Sequence, residues 1–338
     1  MANQAIKRLS LYLAAIELFA YGLIRPGKGE IETITIFDIG NIQSHQYGAN
    51  QQDFRKHFEQ LIEDPLIWNE MQKYYPVEDF ESEEEAYFFY QKYFDLIYDS
   101  GCGYAAAANL IFRLYEGKEK EFEEKFGYPI YTIKNNEIDF NYEMLMLEFF
   151  NYSNLVVQKN QKLIEKSMKK SLLEFKLMQY IRKNDYTRLG KEDIMSWTEE
   201  DWEKYHKDET ERKKKIEELN EAVRNAKNEY TNFGITLDAR FGYLYNFLGN
   251  HGIHVDIRMK SKFKNPSPDE IVASDGYTLY KVDMNGNLGV PKTEGDHYMY
   301  ITKVEDDGDV FVSSWGDMYL FDNSTASYTE EVVITPSR

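Results

Sequence analysis

The chain has 338 residues with 40 basic and 58 acidic side chains, a formal charge of −18, and 15% of its residues are aromatic. That length supports one large domain or two ordinary ones with a sizeable core, and a surface this acidic argues against nucleic acid or an anionic membrane as the main partner. The single cysteine excludes an intrachain disulfide and any zinc site of the Cys-x-x-Cys type, and it leaves redox compartment and localisation unread.

Residues 9–24 are mostly apolar and follow Lys7-Arg8. Glu17 interrupts the run, and Arg25-Pro26-Gly27 follows it where a cleavage site would need small residues, so it reads as an ordinary first helix rather than a signal or membrane anchor. Alternating β-branched residues over 32–38 predict a short strand. Residues 50–75 predict one or two helices, and 81–98 a helix with acids in its first turn. A further helix starts at Cys102 and runs to about Tyr115, with Gly117 as its stop. Charged helical patterns follow over 138–150, 156–183 and 198–230, the last a solvated face laced with ion pairs. Residues 236–248 predict a helix and 253–259 a strand. Pro266-Ser267-Pro268 marks a loop before a new helix start. The end of the chain is β-like, with strands over 277–284, 298–304, 310–313, 319–321 and 332–335. Helices first and an antiparallel sheet last is an α+β pattern. The chain divides into a helical part over 1–117, a charged helical insertion or subdomain over 118–232, and a β-rich part over 233–338.

The chemistry centres on Asp99-Ser100-Gly101-Cys102-Gly103, which opens an alanine-rich helix. A helix N-terminus favours thiolate over thiol, and Gly101 and Gly103 let a substrate backbone approach closely. The competing reading is a buried cysteine acting as a small hydrophobe. A nucleophilic thiol needs a base. Of the six histidines, His297 sits at a strand start in Gly295-Asp296-His297-Tyr298, and the returning strand ends in Ser313-Ser314-Trp315-Gly316. A hairpin of that length brings Ser313 to Trp315 beside the imidazole, where a polar group can fix its tautomer and an indole can exclude water. His254 is the fallback base. His251, His254 and Asp256 make a poor metal site, and neither metal nor cofactor is expected.

These motifs, in this order, resemble the papain-like cysteine peptidases, and within them the bacterial branch that includes bacteriocin-leader peptidases. The resemblance covers 95–117 and 233–320. It implies a papain-like fold, Cys102 as nucleophile, His297 as general base, and the backbone N–H of Cys102 in an oxyanion hole. Trp315 and Gly316 match the family's Trp-Gly. Ser313 stands where the family has Asp or Asn, so Asp296 or Asp317 is an alternative orienting group. The family's oxyanion Gln lies a few residues before the cysteine, where this chain has Leu96. The side-chain donor is left open among Gln43, Gln46, Gln51 and Gln52. The implied activity is amide cleavage through a thioester, on a peptide or protein. The alternatives are a thiol deamidase or transglutaminase, and an inactive papain-like domain that binds a partner or forms part of a secreted effector. The 118–232 helices offer a docking surface for a protein partner.

Overall fold

A computed structural model describes residues 48–134, 137–157, 160–183, 197–226, 243–262, 277–283, 296–304, 310–314, 316–321 and 329–336. The helix over 9–24, the strand over 32–38 and the helix start near Pro266 fall outside them. Three short helices open the described chain: α1 (Asp53–Lys56), α2 (Phe58–Glu63) and α3 (Pro65–Tyr74). Sequence periodicity alone reads this stretch as one or two helices. The break before α3 comes from Pro65, with Asp64 capping the Leu66 N–H at 2.8 Å. Helix α4 (Glu83–Ser100) is capped by Ser82, whose hydroxyl accepts the Glu85 N–H at 3.1 Å. Its buried Ala86, Phe89, Tyr90, Tyr93, Phe94 and Ile97 recur at helical spacing and form one apolar face.

Helix α5 (Cys102–Leu114) is the centre of the molecule. Every residue from Gly103 to Phe112 is buried. Its alanines leave room for a sheet on one side, and Tyr104 meets Phe149 and Phe150 on the other, with ring centroids 5.2 and 5.3 Å apart. Helix α6 (Glu119–Phe126) and a hairpin of β1 (Tyr131–Lys134) and β2 (Glu137–Phe140) precede α7 (Tyr142–Asn151). The hairpin takes the first residues of the helix expected from 138, because Glu137-Ile138-Asp139-Phe140 alternates as a strand does. A π-helical turn, Tyr152–Val157, leads to α8 (Gln161–Lys183).

The 118–232 stretch is therefore not uniform. Phe122 of α6 and Leu145 and Phe150 of α7 are fully buried in the common core. Among the described residues of this stretch, only α8 and α9 (Glu199–Asn225) form a charged helical pair, and none of α9's residues is buried. Thr198 and Asp201 cap α9 reciprocally. Helix α8 rests on α4 through a Phe88–Phe175 stack at 4.7 Å and the Lys176–Glu85 ion pair at 3.3 Å.

After α10 (Tyr243–Asn250) come β3 (Val255–Lys262), β4 (Tyr277–Asp283), β5 (Asp296–Val304), β6 (Val310–Ser314), β7 (Asp317–Phe321) and β8 (Thr329–Pro336). They form one antiparallel six-stranded sheet in the order β3-β8-β4-β5-β6-β7. Strands β4, β5 and β6 pack on α5. The architecture is α+β, with a mostly helical first half and the sheet at the C-terminal end. Among the described residues no helix is long and apolar enough to cross a membrane.

Candidate active site

Helices α4 and α5 are joined by Gly101 alone, which is the C-cap of one and the N-cap of the other. The turn is too tight for any side chain. A Cβ at Gly101 would lie 2.2 Å from the Ile97 carbonyl oxygen and 3.0 Å from Gln51 Cβ. Gly101→Ala is expected to cost about 1–3 kcal/mol as an overpacking change, read as a lowered denaturation midpoint with an unchanged slope. An unaltered midpoint would mean that the turn is looser than this. Cys102 is the first residue of α5 and is half-buried, and Gly103 beside it is buried. The thiol therefore sits where helix N–H groups have no intrahelical acceptor.

Cys102 lines a narrow, closely packed crevice with Gln51, Ala105, Ala106, Asn109, His297, Tyr298, Ser313 and Ser314. The structure thus brings the expected nucleophile and the expected base to one place. His297, the second residue of β5, is 5% exposed. Burial pushes its imidazole down from 6.5 to about 3, so the ring is neutral at physiological pH. The ring meets a hydroxyl through Nε2, but the partner is Ser314 Oγ at 2.6 Å.

Ser313 was the residue expected to orient the imidazole, and the hydroxyl on the ring is its neighbour's. The cause is a β-bulge. From Val304↔Val310 and Lys303↔Phe311, an unbroken ladder puts Ser313 on the same sheet face as His297. The register shifts between Ile301 and Lys303, so that Tyr300 faces Ser313. One extra residue exchanges the faces, and Ser314 comes to share the face of His297. Ser313 Oγ instead accepts a hydrogen bond from Asn109 Nδ2 at 2.9 Å.

Gly316 donates its N–H to the Ala49 carbonyl at 3.2 Å. Trp315 lies outside the described residues, as do the side chains of Asp296 and Asp317. His254 is exposed and does not line the crevice. His251 is committed elsewhere, with Nδ1 3.0 Å from the Lys125 carbonyl and Nε2 3.2 Å from Glu148. Of the four glutamines, Gln43 and Gln46 lie outside the described residues, and Gln52 accepts from Lys56 Nζ at 2.6 Å. Gln51 reaches the crevice. Its Nε2 donates to the Tyr98 carbonyl at 2.8 Å, and its Oε1 is buried with no hydrogen-bond partner.

Two contributors were not singled out by the sequence reading. Ser314 lies in the Ser313–Trp315 segment expected beside the imidazole, and only the bulge selects it over Ser313. Asn109 stands out only as the one polar side chain buried in an alanine-rich helix, seven residues beyond Cys102 and so on the same side. Comparison with protein-family models, with curated proteins and with solved structures returned no match.

Proposed function

We propose that this chain is a thiol acyl-transfer enzyme of papain-like arrangement, a cysteine peptidase acting on a peptide or protein substrate. The observation that carries the reading is the common crevice of Cys102 and His297, with the imidazole Nε2 on Ser314. With the Nε2 hydrogen on the serine, the ring's basic lone pair is on Nδ1. In the first step Nδ1 takes the thiol proton while Sγ attacks the carbonyl carbon of the amide. The tetrahedral oxyanion is met by the Cys102 N–H and the second N–H of the Gln51 carboxamide. The imidazolium then returns its proton to the leaving nitrogen, the C–N bond breaks, and a thioester on Cys102 remains. Water, deprotonated by the same imidazole, cleaves the thioester and restores the thiol. Ser314 orients the ring but offers no charge to an imidazolium, unlike a carboxylate. Proton transfer therefore belongs to the reaction step rather than to a preformed ion pair.

The protonation state gives a test. His297 acts only when neutral, and burial keeps it neutral down to about 3. Acylation of Cys102 by an activated ester, followed by mass, should therefore persist on the acid side well below the usual histidine value of roughly 6.5. A rate that falls through that ordinary value places the working imidazole in water.

One observation favours a second reading, a binding domain without turnover. The bulge puts His297 and Ser314 on the sheet face opposite Ser313, whose hydroxyl meets Asn109 of α5. In that case no acyl-enzyme forms at any pH, and Cys102 reacts as an ordinary thiol.

A further inference from the structure

We infer that Asn109 is the positioning residue of this site, its one carboxamide setting both the Gln51 segment and the serine pair against the nucleophile helix. The inference rests on the roles proposed for Cys102 and His297. Asn109 is 1% exposed in a helix that is otherwise apolar over this stretch. A buried carboxamide is costly unless both of its ends are bonded, and here both ends are. Oδ1 accepts the Ala49 N–H at 2.8 Å, and Nδ2 donates to Ser313 Oγ at 2.9 Å. One bond goes to Ala49, two residues before the crevice-lining Gln51, and the other to Ser313 in the crevice itself.

The first bond fixes the segment upstream of α1. Ala49 is held on its other side by Gly316, which donates to its carbonyl at 3.2 Å. Two residues on is Gln51, whose side chain lines the crevice. The seating is close. Gly48 has φ +102°, and a Cβ there would lie 2.5 Å from Asn109 Oδ1 and 2.8 Å from Ser313 Oγ. Only glycine fits both that backbone and that space. The second bond fixes the end of β6. Ser313 is adjacent to Ser314, whose hydroxyl meets the imidazole at 2.6 Å. One side chain on the nucleophile helix thus sets the register of the base's partner and of the proposed oxyanion donor. Leucine has the same branched shape, though it is bulkier, and offers neither bond. Aspartate keeps an acceptor for Ala49 and lets the Ser313 hydroxyl donate instead of accept.

The single thiol of the full chain reads this directly. Iodoacetamide alkylation of Cys102 is followed across pH in the native protein, His297→Ala, Asn109→Leu, Asn109→Asp and Ser313→Ala, with a melting curve for each. Asn109→Leu should slow alkylation at neutral pH about tenfold, the scale of a lost hydrogen bond, and move the pH profile toward that of His297→Ala. Asn109→Asp should recover most of the native rate. A residue that only packs the helix would lower the melting temperature and leave the profile alone, so a native profile in Asn109→Leu overturns the inference. Should that variant not fold, Ser313→Ala carries the test. It is expected to be slowed about threefold through loss of one of the two bonds, and a native profile there overturns the inference as well. Coincident profiles for the native protein and His297→Ala strike instead at the reading beneath it, and the inference falls with that reading.

Discussion

Replacing His297 by alanine should lower the rate of acyl-enzyme formation about 10²–10⁴-fold, the range spanned by general-base catalysis, while its cost in melting temperature shrinks as pH falls below neutral. The two readouts move apart for a physical reason. The imidazole is almost fully buried and held neutral, with a pKa pushed down from 6.5 to about 3 by desolvation. Its folded-state value therefore lies below its unfolded value. Between the two, the unfolded chain binds the proton and the folded chain does not, so stability rises as pH rises through that window and is lost toward acid. His297→Ala removes this acid penalty as well as the base. The ring's packing and its bond to Ser314 are lost at every pH, so the variant's deficit in melting temperature should be largest at neutral pH and smaller at mildly acidic pH, and it should acylate far more slowly at neutral pH. Equal acylation rates in the two proteins would remove His297 from the chemistry.

The largest expected effect on stability is at Asn151, the last residue of α7. Its Nδ2 donates to Glu70 Oε1 at 2.9 Å, and its Oδ1 accepts from the Tyr93 hydroxyl at 2.5 Å. Glu70 is 8% exposed and Tyr93 fully buried. Asn151→Leu leaves a buried carboxylate and a buried phenol without these partners, at a cost of about 3–5 kcal/mol. Burial already pushes the Glu70 carboxyl above its ordinary value, and the Asn151 hydrogen bond and Lys73 pull it back. Loss of Asn151 raises it further. The folded state then holds the proton more tightly than the unfolded state does, so the cost is full at neutral pH and shrinks as pH falls toward the unfolded carboxyl value of roughly 4.3. Urea titrations of both proteins at neutral and mildly acidic pH measure that difference. A cost independent of pH would assign it to packing alone.

The parts of the site that were legible in the sequence are local. Gly101-Cys102-Gly103 before an alanine run marks the start of a buried helix with the candidate nucleophile at its head, and α5 is that helix. His297 at a strand start with a returning Ser313-Ser314 marks a candidate base and its neighbours, and all three line the crevice. The parts that were not legible depend on long-range register. Ser313 and Ser314 differ by one residue, and only the bulge between Ile301 and Lys303 decides which of them shares a face with the imidazole. Gln51 could not be chosen among four glutamines, because its place depends on contacts of residues 48 to 51 with Asn109 and Tyr98, some fifty residues away in sequence. The β1–β2 hairpin shows a different limit, since four alternating residues next to a long amphipathic pattern read as part of the helix.

The central claim is that Cys102 and His297 act as one unit, and the pH dependence of Cys102 alkylation tests it most directly, because the protein has one thiol. The native protein should alkylate at neutral pH at least about tenfold faster than His297→Ala, because the neutral imidazole takes the thiol proton in the reaction step, and the excess should persist at pH values below the free thiol value of roughly 8.5, where the variant has little thiolate. Superimposable profiles with an ordinary or raised pKa would make Cys102 a packed helix-start residue, and the crevice a place for binding rather than for chemistry.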